Sequence, residues 1–147
     1  MNVFKTIDKV LAAFGNVRAM ERTHVDTFTE NLIKSIKGKK IAQSEYGQLF
    51  VSFQHLANYE FLNISVISAT NIKTLKGCKL VFESNNQTST LISDTKEIES
   101  DFSNVSNRYL TKVSFVIDEK EKKMISSGNF EKVFLNFKKK SIPMAKC

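Results

Sequence analysis

The chain has 147 residues, 41% hydrophobic and 25% charged, with a formal net charge of +7 and two cysteines. This length suits one domain, 1–147, with a core of its own; the composition excludes a disordered polymer, and two cysteines exclude a disulfide scaffold. Charge is uneven, +3 over residues 1–50, −1 over 51–100 and +5 over 101–147; such an excess attracts phosphate or acidic surfaces, and equally keeps a protein soluble with no partner.

Phe4, Ile7, Val10, Leu11 and Phe14 recur at helical spacing and predict an amphipathic helix, with Gly15-Asn16 as its stop and Ala19–Arg22 able to carry another. The apolar stretch Val10–Phe14 is too short for a signal-peptide core or a membrane span. Thr27 and Glu30 stand at capping-box spacing and predict a helix from Phe28 to Lys37, closed by Gly38. Residues 1–38 are therefore read as the helical part.

From residue 41 to 142 the texture is β-rich. Leu49, Val51 and Phe53 alternate with polar residues, as do Leu62, Ile64 and Val66, and a hairpin through His55–Tyr59 would pair the two runs. Lys79–Glu83 and Gln87–Ser93 form a second expected hairpin about Asn85-Asn86, residues that tolerate a left-handed turn backbone. The polar segment 94–107 reads as a long surface loop or a short helix after Asp94. Tyr109–Ile117 is the clearest strand, with Tyr109, Thr111, Val113, Phe115 and Ile117 on one face. Asp118 caps a short helix near 118–126, and Phe130–Lys138 closes the fold as a strand with Val133, Leu135 and Phe137 inward. A helical connector would let these last two strands lie parallel. Lys138-Lys139-Lys140 marks the exit from the core, ahead of a frayed terminal Cys147.

The expected fold is α+β: two or three amino-terminal helices packed on one face of a largely antiparallel sheet of about six strands, with a β-sandwich or partly closed barrel as the alternative. No signature of catalysis accompanies it. His24 and His55 lie far apart in sequence, and no metal-ligand spacing occurs. Cys78 would need a long-range partner such as His24 or His55, and beside Leu80 and Phe82 it reads as a buried thiol. Gly15, Gly38, Gly47, Gly77 and Gly128 never cluster into a phosphate loop. Asp94, Glu97, Glu99 and Asp101 lack calcium-loop spacing and read as solvated. Neither an enzyme nor a cofactor is expected.

The sequence thus points to a cytoplasmic, non-catalytic protein-interaction or self-association module without membrane attachment, whose partner is another protein or a second copy. The alternative is a binder of nucleic acid or acidic polymers through Lys37, Lys39, Lys40, Lys138, Lys139 and Lys140. Against it stand a lysine-dominated charge with three arginines, and the common use of lysine to protect sheet edges.

Overall fold

A computed structural model describes residues 27–147; the helix expected over Phe4–Phe14 and His24 lie outside the described residues. The strands are β1 Lys39–Gln43, β2 Gly47–Leu56, β3 Tyr59–Ser68, β4 Lys73–Thr74, β5 Lys79–Ser84, β6 Gln87–Ile92, β7 Ile98–Glu99, β8 Asp101–Ser103, β9 Arg108–Ile117, β10 Lys132–Phe137 and β11 Lys140–Lys146. Helix α1 spans Phe28–Lys34 and α2 spans Glu119–Ser127.

Nine strands form one sheet in the order β6-β5-β10-β11-β1-β2-β3-β9-β8, every pair antiparallel, while β4 and β7 make a small separate ribbon. Right-handed strand twist accumulates over so many strands, and the sheet curls into a half-barrel. Its inner face holds the core, where Leu49, Leu62, Leu80, Phe115, Val133 and Leu135 are fully enclosed. A bulge between Lys40 and Ala42 turns two successive residues, Ile41 and Ala42, inward and bends β1 with the curl.

This architecture corrects the α+β expectation of amino-terminal helices on a six-stranded sheet. The extra strands come from segments whose own composition is weak, and long-range pairing makes them strands. The segment 94–107 is not a loop or helix but contains β7 and β8. Lys138-Lys139-Lys140 is not an exit: Phe137 pairs with Lys140 across a two-residue turn with Lys138 at φ 52°, and the chain returns as β11. The terminus is not frayed, since β11 lies between β10 and β1 and the Cys147 N–H donates to the Ile41 carbonyl at 3.0 Å. Pro143 fits β11 because β1 pairs only with its last residues, so the missing N–H breaks no ladder there. Nor are β9 and β10 parallel neighbours; β10 pairs antiparallel with β5 and β11.

Both expected hairpins form, with different turn chemistry. Left-handed backbone occurs at Ala57 and Asn58, between Leu56 and Tyr59, and not at Asn85-Asn86.

Helix α1 covers part of the sheet's outer face, where Ile33 packs on Ile67 of β3 and Leu110 of β9 with Leu32, Ile36 and Phe50 around them. It ends at Lys34 rather than Lys37, and the expected capping box is not made: Thr27 has no side-chain cap bond. Glu30 is instead buried, accepting hydrogen bonds from the Ser106 hydroxyl at 2.6 Å and the Ser103 hydroxyl at 2.7 Å, with Arg108 Nη2 at 3.8 Å. The carboxylate therefore clasps α1 to the β8–β9 turn.

Truncating Phe115, wholly enclosed at the centre of β9, leaves a cavity on the inner face. Phe115→Ala is expected to cost about 3–5 kcal/mol in urea unfolding. A loss below about 1 kcal/mol would contradict this placement of the core.

The Ser106 and Ser103 hydrogen bonds, then Arg108 and Lys34, hold the Glu30 carboxyl below its ordinary value of 4.5 against the opposing effect of burial. A carboxyl depressed in the folded state stabilises fully above its unfolded value, and the contribution is lost as pH falls through the folded value. The urea midpoint of the native protein should therefore fall more steeply below pH about 4.5 than that of Glu30→Gln. Parallel pH profiles would refute the clasp.

Candidate functional site

The β6 edge of the half-barrel meets β9 on the stretch that the short strand β8, paired only with Arg108–Leu110, leaves uncovered. Ser93, just past β6, bridges Phe115 of β9, and the Asp94 N–H donates to the Ser114 carbonyl at 2.8 Å. In this antiparallel register β9 ends at Ile117, two residues past the bridge, so the β6 residues upstream of it face α2 across a seam.

The polarity of the β6 edge follows from its register. Ser84 faces Gln87 across the turn, and the Ser93 N–H donates to Cys78, so odd-numbered residues of β6 bond inward to β5. Even-numbered residues turn their N–H and C=O groups outward. Asp94 spends its N–H on β9, whereas the outward backbone groups of Thr88 and Thr90 have no partner among the described residues. Both residues are exposed.

The opposite wall of the seam is α2, held by strong local signals. Asp118 accepts the Glu121 N–H at 2.7 Å while the Glu121 carboxylate accepts the Asp118 N–H at 2.9 Å. Gly128 at φ 71° ends the helix, and Lys146 Nζ donates to its carbonyl at 2.6 Å. Ile125 anchors α2 in the core, and Lys122 reaches Glu60 of β3 at 3.2 Å. Between α2 and β6 lies a groove of about 450 Å3. Its floor is apolar, Phe82, Met124 and Phe130, with the Phe82 and Phe130 rings edge to face at 5.1 Å; Ser89, Thr90, Asp118 and Glu121 stand along its rims.

Glu60 is the other concentration of titratable groups. Its Oε1 accepts from Lys122 and lies 3.1 Å from His55 Nδ1, while its Oε2 is buried without a partner among the described residues. The hydrogen bond from Lys122 and, after it, that from His55 hold this carboxyl below its ordinary value, against burial. Cys78 is remote from this cluster in its contacts, with its backbone N–H on the Ser93 hydroxyl at 2.9 Å. The structure thus does not unite Cys78 with His55, and no group of His, Cys, Asp and Glu that would hold a metal ion occurs among the described residues.

The six lysines singled out from sequence are dispersed. Lys138, Lys139 and Lys140 form the β10–β11 turn, whereas Lys39 and Lys40 open β1, beyond the Ala42–Lys146 pair at the other end of β11. The length of β11 puts the two groups at least about 20 Å apart at the usual strand rise. Lys37, two residues before Lys39, lines an outer-face groove with Lys112. Sequence reasoning passed over Thr88 and Thr90, although Gln87–Ile92 carries one buried apolar residue, Leu91, a pattern suited to an edge. It also passed over Lys112, which reads simply as the polar side of an alternating strand.

No protein-family model matches the chain, and neither a curated protein nor a solved structure matches it. Among the described residues no helix is long and apolar enough to cross a membrane.

Burial pushes the Cys78 thiol up to about 11, a shift only partly opposed by the Ser93 hydrogen bond and the Lys96 charge. Cys147 is exposed. In native protein at pH 8 a thiol reagent should label Cys147 promptly and Cys78 at least ~100-fold more slowly, with both labelled in urea. Equal native rates would show that Cys78 is accessible.

Proposed function

We propose that this protein is a non-catalytic interaction module that takes an extended segment of a protein partner into the seam between β6 and α2. The carrying observation is that the outward backbone groups of Thr88 and Thr90, beside an apolar-floored groove, have no partner among the described residues. An exposed edge offers main-chain hydrogen bonds to any extended peptide, and a neighbouring groove selects alternate side chains. A strand laid along β6 would place every second side chain over Phe82, Met124 and Phe130 and return the others to solvent. The neighbouring rim carries both signs of charge, Asp118 and Glu121 with Lys120 and Lys123, which favours a partner of mixed charge over a polyanion. The free thiols Cys78 and Cys147 support a reducing, cytoplasmic setting.

The test is selection of random twelve-residue peptides on the immobilised protein, followed by amide exchange and a Thr90→Pro variant. Proline at that position removes an N–H that no described residue accepts, so the sheet should persist while strand addition is blocked. Enriched peptides should protect the Thr88 and Thr90 amides and bind Thr90→Pro at least ~10-fold more weakly. Failure to enrich peptides, or equal binding to folded Thr90→Pro, would overturn the proposal.

A further inference from the structure

The outer face of β2, β3 and β9 carries a second groove, of about 340 Å3, close to the end of α1. Phe50, Ser65 and Lys112 lie side by side on the three strands, and Ser52, Asn63 and Ser114 form the adjacent row. Asn63 is committed within its row, donating to Gln54 at 3.0 Å and accepting from Ser114 at 2.8 Å. The hydroxyls of Ser52 and Ser65 and the ammonium groups of Lys37 and Lys112 have no partner among the described residues. Among the described residues no carboxylate lines this groove. Lys37 is held there by a close approach of backbone: a Cβ on Gly38 would stand 2.7 Å from the Val51 carbonyl oxygen, so a larger residue would push the segment off β2.

The geometry points to a binding site for a phosphoryl group. Two lysines and two hydroxyl donors line one space with no acid among the described residues to neutralise them, and a dianion with several acceptor oxygens answers both the charge and the hydrogen-bonding demand. Ser65 and Lys112 are cross-strand neighbours about 5 Å apart, close enough to engage oxygens of one such group. The site is separate from the seam and does not depend on how that seam is used.

The experiment follows amide shifts of the labelled protein by NMR, at low ionic strength, with two probes: inorganic phosphate, and vesicles of phosphatidylcholine containing phosphatidate. Saturable shifts at Ser52, Ser65 and Lys112, weakened about tenfold by Lys37→Gln or Lys112→Gln but unchanged by Lys138→Gln with Lys139→Gln, are expected for the site. Response to phosphate alone identifies a small ligand, and response to vesicles alone a lipid headgroup; both support a phosphoryl site. Linear shifts without saturation, or shifts indifferent to Lys112→Gln, would overturn it. All four lysines are exposed, and unchanged spectra elsewhere in each variant verify that it is folded.

Discussion

Every backbone N–H and C=O in a sheet requires a partner, and an antiparallel sheet that curls has two edges at which that requirement is unmet. Here nine strands curl until the β6 edge comes within bonding distance of the uncovered part of β9, and the contact is made at Ser93 and Phe115 with Asp94 and Ser114 beside them. Just past that junction β9 ends at Ile117, and α2 occupies the far side of the gap instead of another strand. A helix has no free edge of its own to offer, so the β6 backbone groups remain available. The seam is thus a direct outcome of a sheet too twisted to stay open and too short of strands to close.

The outer face obeys a different logic. Where α1 lies on it, Ile67 and Leu110 are covered and the helix is secured by the buried Glu30 carboxylate. Beyond α1 the same three strands turn to Ser52, Asn63, Ser65, Lys112 and Ser114, residues that need no cover. A buried carboxylate with two hydroxyl donors and an arginine is also directional, fixing the position of α1 in a way that apolar contacts alone do not. The placement of Lys37 beside Lys112 follows from that of the helix preceding it.

Legibility in the sequence followed the range of the interactions. The inward residues of β2, β3, β5, β9 and β10 showed themselves through period-two alternation, and α2 through its Asp118 cap, because those signals are written within a few neighbouring residues. Thr27 and Glu30 carried a local pattern too, yet the pair is spaced identically whether Glu30 turns back to its own helix or forward to Ser103, 73 residues away. Lysines and a proline in β11 resemble an exit, since nothing nearby announces β1 and β10 on either side. The identity of the edge strand was the least accessible feature. Periodicity states which face of a strand is apolar, but the absence of a lateral neighbour is a property of the whole topology.

The insertion of β11 between β10 and β1 also bears on how the chain reaches this state. Without Lys140–Lys146 the sheet divides into β6-β5-β10 on one side and β1-β2-β3-β9-β8 on the other. Hairpins within each half need only short loop closures, but their union joins segments about a hundred positions apart and carries the corresponding entropic cost. During synthesis both halves would carry bare inner edges until that stretch had left the ribosome, a period in which pairing with another nascent chain competes with pairing within one.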